Sequence, residues 1–307
     1  MAALGLLLRV LSHLPFWLLY IISDLLYIFI YYLIRYRRKI VYLNLCNSFP
    51  EKSEKEISYI ARQFYKNLSD FIVETLKLIT INVKSLQEII HIDDSARDLI
   101  ENCYNNSRQM IILSGHCFNW EVVSVLPKIT DYKVLITYKM LSNQYFDKLF
   151  KTMREKYGGI AVNFRHVYRV IKEYENNSEL TLTWISTDQR PQPESNKISV
   201  KFLNQNTFFY NGVDGIAKKT NSVVFFTELT KSSRKKYQLK LHLITDKPRE
   251  CDSTYIIERY AKYMEELLQQ KPDNWLWSHQ RWKKTAEFES ANQIKASYSN
   301  TREIIKN

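Results

Sequence analysis

Paired cysteines are the first thing this sequence lacks. Cys46, Cys103, Cys117 and Cys251 are scattered along the chain. No Cys-x-x-Cys pair or histidine-rich spacing accompanies them. That argues against a disulfide framework or a zinc site, and for reduced thiols in a cytosol-facing protein. Internal repeats and extended low-complexity segments are missing too, so no repeat architecture is indicated. Zinc-finger spacing, a glycine-rich RNA motif and a basic helix with heptads are all absent, which counts against a nucleic-acid module. Charge, by contrast, is plentiful and unbalanced. Lys+Arg number 44 against 32 Asp+Glu, a net +12, and the pI is about 9.3. By itself this balance suits an acidic partner of any kind: anionic lipid, nucleic acid or an acidic protein.

Apolar runs are short except near the start. Residues 14–34 form a stretch rich in Leu, Ile, Tyr and Phe, interrupted mainly by Ser23 and Asp24. It is long enough to cross a hydrocarbon core of about 30 Å, although one mid-stretch acid costs about 2.5–3.5 kcal/mol on insertion scales. Arg35, Arg37, Arg38 and Lys39 follow at once, and the positive-inside rule then places the remaining chain in the cytoplasm. No small-residue cleavage site follows, so a cleaved signal peptide is disfavoured. The expectation is an N-terminal membrane helix; the alternative is an amphipathic helix lying on the membrane or packed on the domain.

Beyond this stretch, strand and helix patterns alternate. Residues 51–79 read as a helix, with Ser53 and Glu56 as a capping box. Short apolar runs at 110–113, 134–137, 180–185, 223–227 and 239–244 read as strands. Helical patterns occupy 120–126, 144–157, 167–176, 212–219 and 254–270. Such alternation predicts an α/β fold, a mixed central sheet flanked by helices on both faces. A Pro-containing polar loop at 188–198 directly follows a strand, a favoured place for substrate contacts.

The organising stretch is 109–121, Gln-Met-Ile-Ile-Leu-Ser-Gly-His-Cys-Phe-Asn-Trp-Glu. His116 falls at a strand-to-helix turn, where α/β sheets present functional side chains. Glu121 lies five positions on and can reach His116 only if one residue is in the turn and the other in the first helical turn. A carboxylate accepting one imidazole N–H would fix the tautomer and free the other nitrogen to take a proton. The spacing carries little weight alone, since six histidines give about 0.6 such matches by chance. Cys117 suggests a Cys-His nucleophile, but adjacent residues at a turn point apart.

Three further stretches complete a set. Residues 154–159 read Arg-Glu-Lys-Tyr-Gly-Gly, 184–189 read Trp-Ile-Ser-Thr-Asp-Gln, and 272–283 read Pro-Asp-Asn-Trp-Leu-Trp-Ser-His-Gln-Arg-Trp-Lys. Together they closely resemble the bacterial lipid A late acyltransferases, the lauroyl/myristoyl transferase family of lipopolysaccharide biosynthesis. That family shows His-Phe-Gly-Asn-Trp-Glu at the first site; here Cys117 and Phe118 stand for Phe-Gly, while His116, Asn119, Trp120 and Glu121 are kept. Asp188 and Gln189 match its Asp-Gln pair. Pro272, Trp275, Leu276, Trp277, His279, Arg281, Trp282 and Lys283 match its closing motif, and Asn44, Leu45, Phe49 and Pro50 an early element.

The resemblance implies a glycerolipid-acyltransferase-like fold and a cytoplasm-facing enzyme of the bacterial inner membrane. Residues 1–40 would be a membrane anchor with a basic flank, 41–284 the acyltransferase domain, and 285–307 a polar tail. The reaction implied moves a fatty acyl chain from acyl carrier protein, the co-substrate, to a hydroxyl of a lipid A precursor, with no cofactor and no metal. His116 would be the general base and Glu121 its orienting partner. Arg154 would stabilise the oxyanion or an anionic substrate group, and Asp188 would hold Arg154 or a substrate hydroxyl. Asn119, Trp120, Gln189 and Arg281 are the candidate substrate contacts, with Lys283 a further one for phosphate. Trp275, Trp277 and Trp282 read as core packing that closes the domain. Rival readings are a transferase of the same family with another glycolipid or aminolipid acceptor, and a membrane-tethered binding protein with a degenerate site.

Overall fold

The computed structural model describes residues 2–193 and 195–282; Lys283 and the expected polar tail lie outside them. The chain begins with α1 (Ala2–Ser12) and α2 (Phe16–Ile28), the latter running into a π-helical turn at Phe29–Leu33. Next come α3 (Arg38–Ser48), α4 (Glu54–Leu78), α5 (Val83–Gln87), β1 (Ile90–Ile92) and α6 (Asp94–Asn105). The central part holds β2 (Met110–Ser114), a 3-10 segment (Trp120–Lys128), β3 (Lys133–Tyr138), α7 (Gln144–Glu155), β4 (Ile160–Asn163), α8 (Val167–Asn176) and β5 (Thr181–Ser186). A hairpin of β6 (Lys197–Phe202) and β7 (Gln205–Tyr210) precedes α9 (Gly212–Thr220), β8 (Val223–Ser233), β9 (Lys236–Thr245) and α10 (Tyr255–Gln270).

Seven strands form one sheet in the order β1-β9-β8-β2-β5-β3-β4. The five from β8 to β4 run parallel, while β9 is antiparallel to β8 and carries β1 parallel to itself. The expected mixed α/β architecture is therefore observed. All five residues of β2 are buried, because helices cover both faces of the sheet. Ile111 and Leu113 point into one layer with α4, α10 and the closing tryptophans. Met110 and Ile112 point into the other, with α5, α6 and the 3-10 segment.

The capping box of α4 forms as the sequence indicates, Ser53 accepting from the Glu56 N–H while Glu56 accepts from the Ser53 N–H. The expected helix after β2 is instead a 3-10 segment containing Pro127; Pro has no N–H to donate, and Val122, Val123 and Val125 are stiff at χ1. The hairpin of β6 and β7 had no expectation of its own. Leu203 and Asn204 both take positive φ at its turn, a primed two-residue geometry that Asn-Gly usually announces.

Candidate active site

Strands β2 and β5 lie side by side in parallel, and their register ends with Ser114 opposite Ser186. The two hydroxyls bond each other at 2.8 Å, and the Thr187 N–H donates to the Ser114 carbonyl at 3.3 Å. His116 and Asp188 each stand two residues further on, so the strand register brings them together. Asp188 accepts from the His116 backbone N–H at 3.0 Å and meets the imidazole Nδ1 at 2.7 Å. Its second oxygen also accepts the Trp275 indole N–H at 2.7 Å. Burial pushes the Asp188 pKa up, but the His116 ring and these hydrogen bonds outweigh it and hold the carboxyl well below its usual range.

This corrects the expectation for Glu121. The His116 ring is bonded to Asp188, and the Glu121 carboxylate faces the other way. Asn119 caps the 3-10 segment, its side-chain oxygen accepting the Glu121 N–H at 3.0 Å. The Glu121 side chain is thereby turned toward α7, where it receives Arg154 Nε at 3.0 Å and Nη2 at 2.5 Å. Burial lowers the Arg154 pKa, but Glu121 more than reverses this and holds the guanidinium firmly charged. Asp188 is 2% exposed, and among the described residues its bonds go to His116 and Trp275, not to Arg154.

The glycine pair after α7 places Arg154. Gly158 has φ +99°, and a Cβ on Gly159 would stand 2.6 Å from the Arg154 carbonyl oxygen. Only glycine allows that positive φ and that approach comfortably, and the turn sets Arg154 beneath Tyr138 and Phe150, 6.0 and 5.6 Å from their ring centroids. Trp120 links the two pairs: its indole N–H donates to Glu121 at 3.1 Å, and its ring stands edge-on to His116 at 4.9 Å.

The candidate substrate contacts separate into two groups. Trp120 and Gln189 are half-buried at the site. Asn119 and Arg281 are buried in the interior. Asn119 builds the turn. Arg281 is 2% exposed, donates to the Phe208 carbonyl at 2.5 Å and lies over Phe209, and burial lowers its pKa to about 10.

Cys117 is buried, and burial raises its thiol pKa well above the usual value, which removes the thiolate that a nucleophile needs. Phe118 fills the core beside Phe64, Phe71 and Trp120. Two contributors escaped the sequence reading. Trp275, expected only to pack, also donates to Asp188. His279 accepts the Arg190 N–H at 3.3 Å and so holds the loop that carries Asp188; burial lowers its pKa to about 4.

A carboxylate-backed imidazole at the carboxyl end of a sheet, joined through Trp120 to a guanidinium paired with Glu121, is an arrangement that can take a proton from a nucleophile. Comparison with curated proteins gives no match. A sequence model of the family described as bacterial lipid A biosynthesis acyltransferase matches residues 2–284, nearly the whole chain, and the protein belongs to that family. Membership makes it an acyltransferase of lipid A biosynthesis.

Proposed function

We propose that this protein transfers a fatty acyl chain from acyl carrier protein to a hydroxyl of a lipid A precursor, at the cytoplasmic face of the bacterial inner membrane. The observation that carries the mechanism is the bond from Asp188 to His116 Nδ1. It fixes the tautomer that leaves Nε2 unprotonated and available to the acceptor hydroxyl. The hydroxyl oxygen attacks the thioester carbonyl as Nε2 takes its proton. A C–O bond forms, the negative charge passes to the carbonyl oxygen, and the carbonyl re-forms as the C–S bond breaks. The departing thiolate of the carrier's prosthetic arm then takes the proton from Nε2.

Asp188 is a positioning residue in this reading, and it stabilises the imidazolium while it lasts. Arg154 uses two of its five N–H donors on Glu121, which leaves three for the oxyanion or a substrate phosphate. Glu121 is the group that aims Arg154. The +12 charge supports an acidic carrier and a phosphorylated lipid as the two substrates, and the exposed apolar N-terminal helices support a membrane location.

The test is transfer from acyl-loaded carrier protein to a tetra-acylated lipid A precursor by wild type and His116→Ala in membranes. Transfer lost in the variant at equal protein level supports the reading. Wild-type acylation of some other membrane lipid, and none of this one, would keep the chemistry and replace the acceptor. Activity surviving in His116→Ala would sink the mechanism.

A further inference from the structure

The N-terminal helices carry an exposed apolar ridge and, on the opposite side, a set of polar bonds to the domain. Trp17, Ile21 and Leu25 recur every fourth residue and are 66%, 50% and 62% exposed. Leu6 and Val10 of α1 and Leu33 after α2 extend the ridge. Arg35 and Lys39 are exposed at its end. A stripe of this area with cations at its edge has the complementarity of an anionic lipid surface.

The opposite face of α2 is fastened to α4 and to the turn between β8 and β9. Tyr20 donates to Glu74 at 2.9 Å, and Ser23 to Asp70 at 2.7 Å. Asp70 also receives Lys231 at 2.7 Å and Arg234 Nε at 3.3 Å. Arg234 reaches on to Asp24, while Tyr237 and the Lys235 N–H close the set on Glu74. The connection between α1 and α2 is tied as well, Thr80 donating to the Ser12 carbonyl at 2.6 Å and Lys77 to that of Leu14 at 2.8 Å. Gly5 of α1 lies so close to α7 that a Cβ there would stand 2.6 Å from the Tyr145 hydroxyl.

These bonds bear on how the segment meets a bilayer. The apolar helix Phe16–Leu33 has 18 residues, about 27 Å at 1.5 Å per residue, close to the length needed to cross. Tyr20, Ser23 and Asp24, however, fall around its middle. A helix held there by Glu74, Asp70 and Arg234 could cross only by drawing those groups into the hydrocarbon, or by abandoning them buried and unpaired in the domain. Either course costs several kcal/mol per charge. Lying in the surface requires neither.

We infer, building on the membrane location proposed above, that α1, α2 and the π-helical turn form an in-plane anchor, embedded from one side with the ridge in the lipid and the polar face on α4. The same helix α4 carries Phe64 and Phe71, which meet Phe118 and Trp120, so one helix separates lipid from the active site. Met140 and Leu141, exposed ahead of α7, follow the carboxyl end of β3, the same end of the parallel strands at which His116 follows β2.

The experiment uses the full chain with an N-terminal epitope tag, in inverted inner-membrane vesicles treated with an impermeant protease. The tag and the catalytic domain should be cut together, and right-side-out vesicles should protect both. A tag protected in inverted vesicles but cut in right-side-out ones would overturn the in-plane anchor and leave the membrane location standing. Recovery of the chain in the supernatant after sedimentation would overturn the membrane location and the anchor with it. A Trp17→Glu/Leu25→Glu variant provides the second arm, because both side chains already face outward and the fold does not depend on them. Its binding to vesicles of phosphatidylethanolamine and phosphatidylglycerol should fall at least tenfold with Tm unchanged; undiminished binding would show that the ridge is not the contact.

Discussion

Two clusters in this molecule each bury a pair of carboxylates, and they are built for different ends. At the carboxyl end of the sheet, Asp188 is matched to His116 and Glu121 to Arg154. Under the N-terminal helix, Asp70 is matched to Lys231 and Arg234, but Glu74 bonds, among the described residues, to the phenols of Tyr20 and Tyr237 and a backbone N–H. Burial raises the Glu74 pKa, with Lys231 and the phenols pulling only partly against it. Asp188, equally buried, is shifted the opposite way. The site also keeps an opening, since the His116 side chain is 21% exposed. In the cluster under α2 the carboxylates of Asp70 and Glu74 are buried beneath the helix they fasten. Buried charge with no outlet holds parts together, whereas buried charge backing one accessible titratable nitrogen can do chemistry.

The contrast predicts that changes in one cluster affect rate and changes in the other affect stability. Asp188→Asn should lower kcat/KM by about 10³-fold or more, because an amide can hold the imidazole in the wrong tautomer; Tm and transfer rate measured on the same preparation check both halves. Asp70→Ala leaves Lys231, whose side chain is only 9% exposed, without its carboxylate. The expected loss is about 3–5 kcal/mol, or a Tm lower by on the order of 10 °C, with activity per folded molecule little changed at low temperature.

His279 belongs to the site's support and adds a pH dependence. Its folded pKa of about 4 lies below the ordinary 6.5, so its contribution is complete above pH 6.5 and is lost as pH falls from there toward 4. The span corresponds to about 3 kcal/mol at most. Thermal melts should therefore drop across that window in wild type and flatten in His279→Gln, which can still accept the Arg190 N–H. Arg154→Lys keeps the charge but loses the two-point grip on Glu121. Transfer should fall by about 10²-fold with stability nearly intact; a variant as active as wild type would deny Arg154 its role.

Much of this was legible in the chain. The strands Met110–Ser114 and Thr181–Ser186 appear as the short apolar runs 110–113 and 180–185, each followed by a serine, and the motif residues come next. The partner of His116 was legible too, though not as a spacing of five. Ile-Leu-Ser-Gly-His and Trp-Ile-Ser-Thr-Asp are parallel phrases, each placing its functional residue two positions past a strand-ending serine, and pairing those strands in register brings His116 to Asp188. Sequence distance along one segment favoured Glu121; the ladder between segments decided otherwise. The burial of Arg281 was not legible, because a charged residue in the closing motif gives no sign that the β6–β7 hairpin will cover it. The apolar length of the N-terminal stretch was legible in its hydropathy, which averages over faces and gives no sign of which face meets the domain. Its docking depends on Tyr20, Ser23 and Asp24, whose partners lie as far away as Arg234.

The pairing of His116 with Asp188, rather than with Glu121, is best decided by double-mutant cycles on kcat/KM from long single-turnover courses. In wild type, Asp188→Asn and Glu121→Gln should both slow transfer. In a His116→Ala background, Asp188→Asn should cost nothing further, while Glu121→Gln should still cost its full factor through Arg154. If Glu121→Gln is the change that becomes silent there and Asp188→Asn keeps its effect, Glu121, and not Asp188, is the partner of His116 in the working enzyme.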